Sequence, residues 1–218
     1  MAGSQPTKST LHTPIARLSY PALFEARGVA GDPTSVPKFG TTLIFDTVSK
    51  GDPQFKTLMG RMVQAVEELG KADPRLSKRR DWRKPFRDGA EGEYADRAGY
   101  GEGTVFIRAT SSRAVPCVDR QLQAITDAEK LYPGCYVRAI VSLYAYGGEK
   151  TKGNYGISFG LRGLQFVKDG DRLDDAVDVS REFSSLDDPT EDAPFEEGAG
   201  GDGGGALSAL DRLFGNKS

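Results

Sequence analysis

Eight cationic side chains crowd the stretch from Lys71 to Arg87, namely Lys71, Arg75, Lys78, Arg79, Arg80, Arg83, Lys84 and Arg87. Only Asp73 and Asp81 oppose them, and Trp82 and Phe86 are interleaved among them. Cations neutralise phosphates and release counterions, while flat rings offer faces on which unpaired bases stack. Such stacking contributes about 1–3 kcal/mol per base and tolerates any sequence, so the mixture suits a single strand better than a duplex. The competing reading is a charged surface loop that Trp82 and Phe86 anchor by burial.

Two strand-like segments carry a second pattern of the same kind. In TVFIRAT (104–110), Phe106 and Arg108 alternate with Val105, Ile107 and Ala109. In CYVRAIVSLYAYG (135–147), Tyr136, Arg138 and Tyr144 stand opposite an aliphatic row. Strand side chains point alternately to the two faces, so the aliphatic row suits a core and the ring-and-arginine row a binding platform. A second packed layer beneath a helix or loop explains the same rings equally well. Lys150 and Lys152, in the loop GGEKTKGN, are placed to grip a phosphate backbone from the side.

Catalytic chemistry finds little material. The single histidine, His12, excludes a multi-histidine metal site and makes a Ser-His-Asp triad an unpromising reading. GGEKTKG does not satisfy the phosphate-loop pattern, and GYGEG precedes a strand where a dinucleotide fingerprint would precede a helix. Cys117 and Cys135 form no C-x-x-C pair and suit a reducing compartment. No cofactor or metal is therefore expected. Carboxylates are plentiful enough for a metal-dependent nuclease, but their spacing does not favour one.

The elements that must hold these residues are mainly strands. Residues 1–12 are small and polar and read as a flexible N-terminus. TPIARLSYPALFEA (13–26), TTLIFDTV (41–48), the two segments above and YGISFGLRGLQFV (155–167) have strand composition. One helix is signalled between Asp52 as cap, with Pro53 in its first turn, and Gly70 as stop. Its apolar stripe is Phe55, Leu58, Met59, Met62, Val66 and Leu69, with the two methionines as core packing. Residues 71–103 show little periodicity. The pattern predicts a mainly β protein: an OB-like five-stranded barrel over residues 13–173, with an inserted helix and long loops.

The charge is divided. Residues 1–170 hold 25 Lys and Arg against 18 Asp and Glu, a sum of +7, and residues 171–218 hold 4 against 13, a sum of −9. Residues 174–218 are acidic and then glycine-rich, the composition of a disordered tail. They finish in ALSALDRLFGNKS, where Leu207, Leu210, Leu213 and Phe214 form an apolar docking motif. An acidic tail on a basic body is suited to fold back on the surface that holds a polyanion.

Four ordered segments carry a resemblance: KPFRDG (84–89), TVFIRATSSRAVPCVD (104–119), LYPGCYVRAIVSLYAY (131–146) and GNYGISFGLRGLQFVKDGDRL (153–173). Together they resemble the tailed-phage single-stranded DNA-binding proteins, a family formerly filed as a domain of unknown function, over residues 13–173. The resemblance implies an OB-type barrel, coating of unpaired DNA in phage replication and recombination, and DNA contacts from Arg87 and the strand surface near Arg108. It also implies a cytoplasmic protein of the infected host whose tail recruits replication or recombination partners. Four residues, Gly215 to Ser218, follow Phe214, a departure from tails that dock through a terminal aromatic residue.

The expectation is a non-enzymatic binder of single-stranded DNA. The alternatives are a metal-dependent nuclease and a protein-interaction module whose basic face meets an acidic partner.

Overall fold

β-Branched and aromatic residues fill the segments that pair. In the computed structural model, β1 (Thr10–His12), β2 (Ala16–Arg27), β3 (Lys38–Phe45), β5 (Val105–Ser111), β7 (Tyr136–Tyr146) and β8 (Gly156–Lys168) are joined by the two-residue strands β4 (Arg87–Asp88) and β6 (Cys117–Val118). The structure describes residues 10–28, 34–148, 151 and 153–174. The chain divides into two units, 1–177 and 178–218, and the second lies outside the described residues.

Five strands close a ring. β2 pairs antiparallel with β3, β3 with β5, β5 parallel with β8, β8 antiparallel with β7, and β7 with β2. This is the OB-like arrangement expected from the sequence, though the ring is not a clean barrel. Only Ala109–Phe159 and Thr110–Gly160 pair across the parallel seam. Residues 83–88 bridge the rest: Arg83 hydrogen-bonds to Tyr155 and Ile157 beside β8, and Arg87 and Asp88 pair with Phe106 and Val105 of β5. Phe86 points inward between these anchors and meets Phe159 edge-on, with ring centroids 5.7 Å apart.

The core inside the ring includes Leu18, Leu43, Phe45, Ile107, Val137, Val141, Phe159 and Leu161. A short helix α1 (Thr47–Lys50) is capped by Asp46, whose Oδ1 accepts from the Ser49 backbone N–H. The longer α2 (Phe55–Ala72) lies against β1 and β7 and buries Met62 and Val66. Burial of such side chains contributes about 1.5–3 kcal/mol each.

The helix corrects three expectations. Its cap residue is Gln54, so Pro53 stands ahead of the first turn, and Asp52 accepts the Gln54 N–H from just outside the helix. Gly70 lies within the helix instead of ending it, and Trp82 packs where a side chain would stand. A Cβ at Gly70 would stand 2.8 Å from Trp82 Cζ2.

Candidate nucleic-acid interface

The basic segment leaves α2 at Asp73 and turns back along the end of the ring. Arg75 is spent locally: it pairs with Asp73 at 2.7 Å and donates to the Ala145 carbonyl. That side-chain bond from Arg75 holds the Asp73 carboxyl below the usual carboxylate range. Arg79 lays its guanidinium 3.7 Å from the centroid of the Tyr155 ring, a cation–π contact. Around them Arg75, Lys78, Arg79, Arg80 and Tyr155 line an open depression of about 600 Å³.

Lys78, Arg79, Arg80, Arg83, Lys84 and Arg87 are all exposed. None of them, nor exposed Arg108 on β5, forms an ion pair with a carboxylate among the described residues. Their charge is therefore not neutralised within the described fold. The β4–β5 register sets Arg87 opposite Phe106, and Arg108 lies two residues along on the same face of β5. The cations thus follow the bridging segment from the start of β8 to the outer face of β5.

The rings placed among those cations by sequence behave differently. Trp82 and Phe86 are half-buried and packed against the core, so they anchor the basic segment to the body. Phe106 is 3% exposed, beneath Tyr94 and Tyr100 at 4.9 and 5.1 Å between centroids. Tyr136 is 6% exposed and donates its hydroxyl to Asp46 Oδ2 at 2.8 Å. Burial pushes its phenol up to about 12. Neither Phe106 nor Tyr136 is an open platform, because loop 89–104 covers the first and the turn into α1 holds the second.

Arg138 is engaged within the fold. It donates to Asp52 Oδ2 at 3.0 Å, against a carboxylate that is 6% exposed. The Gln54 backbone N–H foremost, and Arg138 with it, lower the Asp52 carboxyl below its ordinary range despite the opposing effect of burial. Tyr144 is half-buried on β7 opposite Ser158. Lys150, Lys152, Leu207, Leu210, Leu213 and Phe214 lie outside the described residues.

Sequence reasoning missed the loop over β5. Tyr94, Arg97 and Tyr100 recur at three-residue steps between glycines, the signal that could have found them. Tyr100 donates to Ser19 Oγ at 3.1 Å, and its phenol is raised chiefly by burial. Arg97 lies 5.0 Å from the Tyr94 ring centroid and donates to the Tyr20 hydroxyl at 2.8 Å. Gly99, at φ +84°, lets Leu173 close over the loop, since a Cβ there would stand 2.7 Å from Leu173 Cδ2.

Tyr20 itself has φ +47°. That region is an outlier for a bulky side chain, costing on the order of 1–3 kcal/mol. Cys117 and Cys135 are buried, with thiols pushed up to about 11 and about 12 by that burial. They are inert at neutral pH. Among the described residues, no three His, Cys, Asp or Glu side chains gather as a metal site, and no helix is long and apolar enough to cross a membrane.

Comparison with known proteins agrees with this architecture. The family model described as the Enterobacter phage Enc34 ssDNA-binding protein matches residues 9–194. A protein named p50, of Acyrthosiphon pisum secondary endosymbiont phage 1, is 30% identical over 167 residues, spanning 71% of this chain and 81% of that protein. The structure of the single-stranded DNA-binding protein from bacteriophage Enc34 in complex with ssDNA superposes with a TM-score of 0.63 at 19% identity, covering 77% of this chain and 91% of that one. The single-stranded DNA-binding protein encoded by bacteriophage T7 superposes with a TM-score of 0.51 at 16% identity, covering 81% and 98%.

Proposed function

The chain belongs to the phage Enc34 single-stranded DNA-binding protein family, and from that premise we propose that it binds single-stranded DNA without sequence preference and without catalysing a reaction. The family match over residues 9–194 is the observation that carries the proposal, and the geometry supports a location for the site. Phosphates meet Lys78, Arg79, Arg80, Arg83, Lys84, Arg87 and Arg108, a run of exposed cations along the bridging segment and β5 that pair with no described carboxylate. Arg138 is left out of this set because Asp52 already holds it. The role is the covering of unpaired DNA in phage replication and recombination.

The acidic residues beyond 170, with their sum of −9, compete with DNA for this +7 body, and the apolar residues Leu207, Leu210, Leu213 and Phe214 dock replication proteins. Removal of residues 174–218 is expected to tighten DNA binding at low salt.

Fluorescence anisotropy of a labelled oligo-dT, compared with a duplex of equal length, tests the function. Tight binding of the single strand alone is expected, with an affinity that falls as salt rises. Equal affinity for the duplex, or magnesium-dependent destruction of the oligonucleotide, overturns the proposal.

A further inference from the structure

We propose that Tyr20 is a nucleobase-stacking residue, presented by a strained bulge in β2 and fixed from behind by Arg97. The inference rests on the single-stranded DNA reading above and names a ligand contact within it.

Tyr20 is 53% exposed on β2, directly after the packed segment Ala16–Ser19. Its neighbours Leu18 and Ser19 are 0% and 3% exposed. Strict alternation would turn Tyr20 to the face opposite Ser19. Instead the β2–β3 register slips between Ser19 and Ala22, and Tyr20 takes φ +47°. A bulge of this kind re-aims a side chain. As a result Tyr20 and Ser19 both meet loop 89–104, Tyr20 through Arg97 and Ser19 through Tyr100. Backbone strain of this kind clusters at ligand-binding and active sites, and here it presents an aromatic ring to solvent.

The ring is also held in place. Its hydroxyl accepts from Arg97 Nη1 at 2.8 Å, and the Arg97 guanidinium lies 5.6 Å from its centroid. Arg97 is in turn fixed by the Glu93 carbonyl and the Tyr94 ring. A ring ordered before binding loses less freedom when a base stacks on it.

The cation it would work with is close. Ser19 pairs with Thr42, and Thr42 with Arg108, so Tyr20 flanks the row that ends in Arg108. Neighbouring strands lie about 4.8 Å apart, which puts the two strands carrying Tyr20 and Arg108 roughly 10 Å apart, a span one or two nucleotides can bridge.

The test compares wild type, Tyr20→Ala and Tyr20→Phe for binding to oligo-dT and to an all-abasic oligomer of equal length. For dT, Tyr20→Ala is expected to weaken binding by about tenfold, while Tyr20→Phe stays within about twofold. For the abasic strand, all three are expected to bind alike. Equal dT affinity of Tyr20→Ala and wild type overturns the inference. So does an equal loss on both strands, which would make the tyrosine a positioning residue, or a Tyr20→Phe loss as large as that of Tyr20→Ala. Failure of the wild type to bind dT at all overturns the single-stranded DNA reading itself.

Discussion

Phe106-Ile107-Arg108 on β5 and Tyr136-Val137-Arg138 on β7 are the same pattern, ring, aliphatic, arginine, on two strands of one ring. Their outcomes differ. Both rings are buried, but by different covers: loop 89–104 over Phe106, and the α1 cap residue Asp46 against Tyr136. Asp52, just ahead of α2, then takes Arg138, whereas no described carboxylate reaches Arg108. Strand alternation sets which way an arginine points. The element packed above decides whether its charge is left for a ligand.

That contrast can be strained at several points. The largest effect is expected from Phe86→Ala, which removes the plug holding the basic segment across the β5–β8 seam. Deleting a packed phenylalanine costs about 3 kcal/mol, measurable as a lower urea midpoint, and an unchanged midpoint would mean that residues 83–88 stay seated without it. Next comes Arg138→Ala. It should cost about 1 kcal/mol of stability, as befits a pair open to solvent on one side, and leave oligo-dT affinity unchanged. Reduced affinity at equal salt would put the β7 arginine back in the interface.

Smaller effects follow from titration. Asp52 and Asp73 have carboxyls lowered in the fold. Their contribution is present above the unfolded value near 3.8 and is lost as pH falls through the folded values. Urea midpoints should therefore drop below about pH 4, and Arg138→Ala should blunt the part that Asp52 contributes. Tyr136 behaves in the opposite sense. Its phenol, raised from 10.0 to about 12, stabilises the fold fully below pH 10 and loses that effect as pH rises through about 12. Tyr136→Phe should make the loss between pH 10 and 12 shallower, and parallel curves would contradict the burial of that hydroxyl.

The β elements were legible because runs of β-branched and aromatic residues have few other uses; β5 and β7 add an alternation of period two, whereas β3 is buried on both faces from Gly40 to Phe45. The helix was legible in its stripe but not at its ends. Gly70 has the composition of a stop, yet what it supplies is room for Trp82, a contact that arises only once the chain turns back at Asp73. The basic cluster could be read from charge alone. Within it Arg75 pairs with Asp73 only two residues away, but the capture of Arg138 on β7 by Asp52 could not be read, because those two are far apart in sequence and meet through packing. The same limit hid Tyr20, whose exposure comes from a slipped register that strict alternation does not encode.

The most direct test of the central claim is the salt dependence of oligo-dT binding for wild type and for the double variant Arg87→Ala/Arg108→Ala. Each phosphate contact contributes about −0.7 to the slope of log K against log salt for a single strand. The account predicts a slope shallower by about 0.7 for each arginine removed, with stability little changed. Parallel lines for the two proteins would contradict it.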